Sequence, residues 1–92
     1  MTRYTVVWDK DVESAFTQLW IDSNSATRAV LTEAAHWVDR NLAVDPESKG
    51  LWRADLGVRI LVVPAKEESL SVVYQVLPDD RQVRVLRLVL HP

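Results

Sequence analysis

Apolar and polar positions alternate through the last third of the chain. Val72-Val-Tyr-Gln-Val-Leu77 and Gln82-Val-Arg-Val-Leu-Arg-Leu-Val-Leu90 read as two strands joined by the polar turn Pro78-Asp-Asp-Arg81. Proline suits the second position of a type I turn, and aspartate beside it is turn-forming. Thr2–Trp8 also alternates and is rich in β-branched and aromatic residues, so it reads as an opening strand. The period then changes. Val12, Phe16, Leu19 and Trp20 follow at helical spacing. Asp9 stands where a helix N-cap belongs, with Asp11 and Glu13 in the first turn, where the helix dipole favours carboxylates. Ser23-Asn-Ser25 breaks this helix and offers caps for a second one, whose stripe is Val30, Leu31, Ala34, Trp37, Val38 and Leu42. So short a break makes the two helices antiparallel neighbours.

The pattern predicts helices over residues 9–22 and 25–44 and strands over 2–8, 57–63, 70–77 and 82–90. Residues 45–56 are the longest irregular stretch, and Ala65–Ser69 is a charged turn after Pro64. The fold class is α+β in the order β-α-α-β-β-β. An antiparallel helical hairpin packs on one face of a small, mostly antiparallel sheet. Strand 57–63 carries apolar residues on both faces, Ile60 and Val62 on one, Leu61 and Val63 on the other. The last strand does the same, interrupted by Arg84 and Arg87. A sheet covered on one side should alternate more cleanly. Either these are tolerated surface valines on a central strand, or a partner covers the free face.

Composition narrows the class. A chain of 92 residues is a single domain, spanning 1–92, and its 48% hydrophobic content with four tryptophans supplies an adequate core. There is no cysteine, which excludes disulfides and thiolate metal sites and fits a cytoplasmic location. No apolar run approaches a membrane span, and the start of the chain lacks a signal-peptide core. The net charge of −2 argues against strong non-specific binding to nucleic acid. No metal spacing, phosphate loop, nucleophile motif or cofactor motif is present.

The candidate functional residues are basic. Arg59 is the one charged residue in an apolar strand, placed to hold a phosphate or an acidic partner group, or to pair with a glutamate at the sheet edge. Arg53 follows Trp52, an arrangement that serves as a binding anchor or reflects packing of the indole alone. Arg84 and Arg87 are an odd number of residues apart, so a regular strand puts them on opposite faces and in separate sites. His91 suits proton transfer near neutral pH if it is ordered, and does nothing if the terminus frays. His36 shares a helix face with Glu33 and Arg40, a solvated polar surface.

The chain resembles the RelE/ParE toxin superfamily, the toxins of type II toxin–antitoxin modules, often called plasmid stabilisation proteins. The carriers are Arg3-Tyr-Thr-Val-Val-Trp8, the acidic helix start, Asp45-Pro46 with Lys49-Gly50, Leu56-Gly-Val-Arg-Ile-Leu-Val-Val63, Val73-Tyr-Gln-Val76 and Asp79-Asp-Arg-Gln-Val-Arg-Val-Leu-Arg87. The resemblance implies a toxin that binds a macromolecular target, either gyrase or the ribosome with its mRNA, and that a cognate antitoxin neutralises. The excess of apolar residues on strands 57–63 and 82–90 predicts low solubility or self-association when the antitoxin is absent. For an mRNA-cleaving member the resemblance implies Arg59, Arg87 and His91 as catalytic candidates and Arg53, Arg59, Arg84 and Arg87 as binding candidates. The chain departs from that branch. Ser71 stands where an arginine is expected, and Val89-Leu-His-Pro92 carries no further basic cluster. The departures imply weak or absent mRNA cleavage. A third possibility is a non-toxic relative that keeps only the interaction surface.

Overall fold

The computed structural model describes residues 3–65 and 68–91. Strand β1 (Thr5–Trp8) leads into helices α1 (Lys10–Asp22) and α2 (Ser25–Leu42). Strands β2 (Leu51–Arg53), β3 (Val58–Ala65), β4 (Glu68–Leu77) and β5 (Gln82–His91) follow. They form one sheet in the order β1-β5-β4-β3-β2, antiparallel except for the parallel β1–β5 pair. The first strand thus pairs with the last, and the β2–β5 run is a meander. The order of elements matches the sequence pattern with one addition. Leu51–Arg53, expected to be irregular, pairs antiparallel with Val58–Ile60. Of the expected charged turn, Glu68 and Ser69 belong to β4, and residues 66–67 lie outside the described residues, as do 1–2 of the expected first strand.

The helical hairpin covers one face. Its core joins Val12 of α1 and Ala34, Val38 and Leu42 of α2 to Val63, Leu70, Val72, Tyr74, Val83 and Val85 of the sheet. The short connection is fixed locally. The Asn24 side chain accepts from the Thr27 amide, capping α2. Arg28 donates to the Trp20 and Ile21 carbonyls, which satisfies the end of α1, and its guanidinium lies 4.5 Å from the Trp20 ring centroid. Trp8 and Phe16 meet edge to face at 5.6 Å, tying α1 to β1.

Asp9 departs from its expected role. Its side chain makes no capping hydrogen bond to α1. Its carboxylate instead accepts from Arg84 Nη2 at 2.8 Å and Nε at 3.2 Å. A charge-assisted bond to arginine competes successfully with a cap bond to a backbone amide.

The segment between α2 and β2 is pinned from inside. Tyr74 is fully buried, and its hydroxyl lies 2.8 Å from the Pro46 carbonyl and 2.6 Å from that of Lys49. The Lys49 ammonium caps the C-terminal end of α2 by donating to the Asn41 and Val44 carbonyls. Gly50 adopts φ +70°, and a Cβ there would stand 2.8 Å from the Ile60 carbonyl oxygen, so glycine is required.

Candidate functional site

The side of the sheet away from the helices is uncovered, and register decides which residues it carries. Residues directly opposite across a ladder share a face. On β4 the helix face holds Leu70, Val72 and Tyr74, so the open face holds Ser69, Ser71, Val73 and Gln75. Gln75 stands opposite Arg84, Val73 opposite Arg87, Ser71 opposite Val89 and Ser69 opposite His91.

Arg84 and Arg87 are therefore on the same face, contrary to the expectation from their odd spacing. The cause is a β-bulge. The register shifts between Val73 and Tyr74, where Val85 is the partner of Tyr74 and Leu86 is the extra residue. The extra residue restores parity. Arg84, Arg87 and His91 form one line along β5, opposite Gln75 to Ser69 of β4, about 20 Å at ~3.3 Å per residue step.

The three groups differ in their neighbours. Arg84 is held by Asp9, with their side chains 43% and 32% exposed. Arg87 is exposed and, among the described residues, has no ion-pair partner. His91 is ordered in the strand rather than frayed, and its Nε2 lies 2.9 Å from Ser71 Oγ. The β4 positions beside them are mixed, Gln75, Ser71 and Ser69 with Val73, and the floor turns apolar toward β3. Ile60, Val62 and Val73 lie on this face, with Val62 58% exposed. Leu51, opposite Ile60, extends the floor to the β2 edge and is 67% exposed.

Arg59 belongs elsewhere. It stands opposite Tyr74 and Trp52, on the helix side of the sheet. Its guanidinium lies 5.7 Å from the Trp52 ring centroid and donates to the Lys49 carbonyl at 3.3 Å. It is a support for the 45–50 segment, separated by the sheet from Arg84, Arg87 and His91. Arg53 is opposite Val58 on the open side at the β2 edge, but Asp55 engages it at 2.9 Å. The hydrogen bond from Arg53 holds the Asp55 carboxyl below the usual carboxylate range. His36 lies with Glu33, Trp37 and Arg40 along a groove of about 480 Å³ between α2 and the β3 residues Val63 and Pro64. No group of metal-binding side chains occurs among the described residues, and no helix is long and apolar enough to cross a membrane.

Two sheet edges are only half covered. β1 pairs with Gln82–Val85 alone, leaving the edge of Leu86–His91 without a strand among the described residues. Beside it runs a groove of about 280 Å³, lined by Asp11, Val12, Ala15, Phe16 and Leu19 of α1 and by Leu86, Arg87 and Leu88 of β5, so Arg87 borders this groove as well as the open face. β2 pairs with Val58–Ile60 alone, leaving Leu61–Ala65, where Pro64 has no amide to donate.

Sequence reasoning missed the bulge, the short β2 strand, the Asp9–Arg84 pair and the Ser71–His91 contact. Only the bulge left a visible trace. The buried positions Val83 and Val85 are odd-numbered, whereas Leu88 and Leu90, which pack against the same core, are even-numbered. That phase slip at Val85-Leu86 marks an inserted residue.

No family model matches this chain, and no curated protein sequence does. Solved structures do match. The structure of the RelBE2 toxin–antitoxin complex from Mycobacterium tuberculosis contains a chain that superposes with a TM-score of 0.70 at 19% identity, covering 100% of this chain and 94% of that one. The E. coli toxin RelE, a double arginine-to-alanine mutant in the free state, matches with a TM-score of 0.55 at 17% identity over 95% of this chain and 82% of that one. The α+β architecture of two helices on a five-stranded, mostly antiparallel sheet is the RelE-like toxin fold.

Proposed function

We propose that this protein is the toxin of a type II toxin–antitoxin module and that the open face of its sheet is the working surface. The full-length likeness to a chain from a toxin–antitoxin complex supports this reading. The observation that carries it is the line of Arg84, Arg87 and His91 on the open face, flanked by the apolar Ile60, Val62 and Leu51. A structural surface has no need of such a line, whereas a surface that grips an anionic target does.

The partner is a cognate antitoxin. The unpaired Leu86–His91 edge offers backbone donors and acceptors to an extended segment, and the adjoining α1 groove, mostly apolar with Asp11 and Arg87 among its lining, offers seats for its alternate side chains. Bound there, the segment runs beside Arg87 and His91 and obstructs the open face. The β3 edge is the poorer template because Pro64 interrupts it.

A second reading, favoured by the bulge, is cleavage of mRNA on the ribosome. In that chemistry a 2′-hydroxyl attacks the adjacent phosphorus and loses its proton to a base. The bond from phosphorus to the 5′-oxygen breaks, and that oxygen takes a proton from an acid. A 2′,3′-cyclic phosphate and a 5′-hydroxyl result. Histidine suits the proton transfers, and arginine suits the charge on the equatorial oxygens. Arg87 and His91 provide these groups on one face, and Arg84 extends the cationic track. The ribosome supplies most of the binding, which is compatible with a chain of net charge −2.

The test is controlled expression in a bacterial host, alone and with the small reading frame that neighbours the gene, followed by primer extension on cellular mRNA. Growth arrest relieved by the neighbouring product supports the toxin reading, and normal growth with soluble protein defeats it. Codon-phased cuts support the RNA reading. Arrest without cuts points to a protein target such as gyrase.

A further inference from the structure

We propose that Ser71 is a positioning residue for His91, orienting the imidazole for proton transfer on an RNA phosphodiester laid along the open face. The inference rests on the RNA-cleavage reading above. Ser71 Oγ and His91 Nε2 are 2.9 Å apart. The contact is diagonal across the β4–β5 ladder, since Ser71 stands opposite Val89 and His91 opposite Ser69. Both backbones are held in the sheet, so the serine approaches the ring from a fixed frame. His91 is exposed and near the end of the strand, where an unrestrained side chain would sample several rotamers.

The chemistry of the partner matters. Among the described residues, the open-face positions nearest His91 by register are Ser69, Ser71 and Val89, with Pro64 beyond Ser69 on β3. None of these is a carboxylate. A carboxylate partner would stabilise the imidazolium and hold the ring charged. A hydroxyl is both donor and acceptor. When Ser71 donates, Nε2 accepts and Nδ1 carries the proton. When Ser71 accepts, Nε2 carries the proton and Nδ1 is free to receive one. The serine thus fixes the ring plane while leaving either tautomer available, and Nδ1 remains open for exchange with the 2′-hydroxyl or the leaving oxygen. Ser71 forms no covalent bond and gives up no proton of its own.

This assigns a purpose to the residue that replaces an expected arginine. The cation is supplied by Arg87, in the next row along the same face, and the serine at position 71 orients the proton carrier. The experiment compares single-turnover cleavage of ribosome-bound mRNA by the wild type, Ser71→Ala, Ser71→Thr, His91→Ala and the double variant Ser71→Ala/His91→Ala. The imidazole nitrogens are followed by ¹⁵N NMR in the first two proteins. Loss of alignment at a reacting group costs on the order of 10–100-fold in rate. Ser71→Ala should lower the rate by that factor with little change in apparent affinity. Ser71→Thr, which keeps the hydroxyl, should restore most of it. Ser71→Ala should add nothing once His91 is gone, and the hydrogen-bonded Nε2 signal should disappear in Ser71→Ala. Equal rates for wild type and Ser71→Ala overturn the proposal and leave the RNA reading standing. So does an equal loss from Ser71→Ala in the presence and absence of His91. A wild type that cleaves nothing removes the RNA reading, and the proposal falls with it.

Discussion

Replacing Tyr74 by Phe tests the internal anchor of the loop that connects the helices to the sheet. The ring is fully buried and stays so in the variant; only the hydroxyl is lost. That hydroxyl bonds the Pro46 and Lys49 carbonyls at 2.8 and 2.6 Å. Neither carbonyl is left bare. Pro46 O still accepts from the Lys49 amide at 3.4 Å, and Lys49 O still accepts from Arg59 at 3.3 Å. The cost therefore falls in the lower part of the usual range for a buried hydrogen-bonding group, about 1–2 kcal/mol. For a chain of this size that lowers Tm by roughly 5–15 °C. The pH dependence adds a sharper signature. Burial pushes the Tyr74 phenol from 10.0 up to about 12. The folded state thus retains a proton that the unfolded state releases above pH 10. Stability from this source is complete below pH 10 and is lost as pH rises from 10 toward 12, by up to ~3 kcal/mol for two pKa units. Phenylalanine has no such loss. Urea unfolding followed by tryptophan fluorescence should show the wild type more stable at pH 8 and the two stability curves converging by about pH 11. Curves that stay parallel from pH 8 to 11.5 would refute the reasoning.

Three further perturbations test the local geometry. Gly50→Ala combines a positive φ with a Cβ 2.8 Å from the Ile60 carbonyl, so it should cost clearly more than Gly57→Ala, which has φ +66° and open space and loses only the ~1–2 kcal/mol of left-handed strain; denaturant midpoints compare the two. Asn24→Ala removes the cap on α2 and should cost about 1 kcal/mol by the same assay. A double-mutant cycle on Asp9 and Arg84 should give a coupling of at most about 1 kcal/mol, because both side chains are partly exposed, and the coupling should shrink in 1 M salt.

Much of the fold was legible because each period change in the sequence coincides with a change of element. The helical stripe from Val12 to Leu42 and the alternation after Gly57 place both helices and the three long strands within a few residues of where they lie. What was illegible depended on contacts between distant residues. Leu51–Arg53 is too short to carry a period and becomes a strand only because β3 offers it an edge. Asp9 follows the N-cap rule by position, yet Arg84, 75 residues away, takes its carboxylate. The parallel pairing of β1 with β5 is likewise a property of the folded chain. The candidate site turned on one inserted residue. Without the bulge at Leu86, Arg87 would point toward the helices. With it, Arg84, Arg87 and His91 align. Arg59 was the reverse case. Its setting in an apolar strand suggested a phosphate ligand, while the structure uses it to brace Trp52 and Lys49 on the helix side.

The face assignment is tested most directly by growth arrest on expression of Arg87→Ala and Arg59→Ala, at matched soluble levels and beside the wild type. Arg87 lies on the open face and Arg59 on the helix side. The account predicts that Arg87→Ala relieves the arrest and that Arg59→Ala, once its solubility is matched, still arrests growth. Arrest that survives Arg87→Ala and disappears in Arg59→Ala would contradict it, placing the working surface on the other side of the sheet.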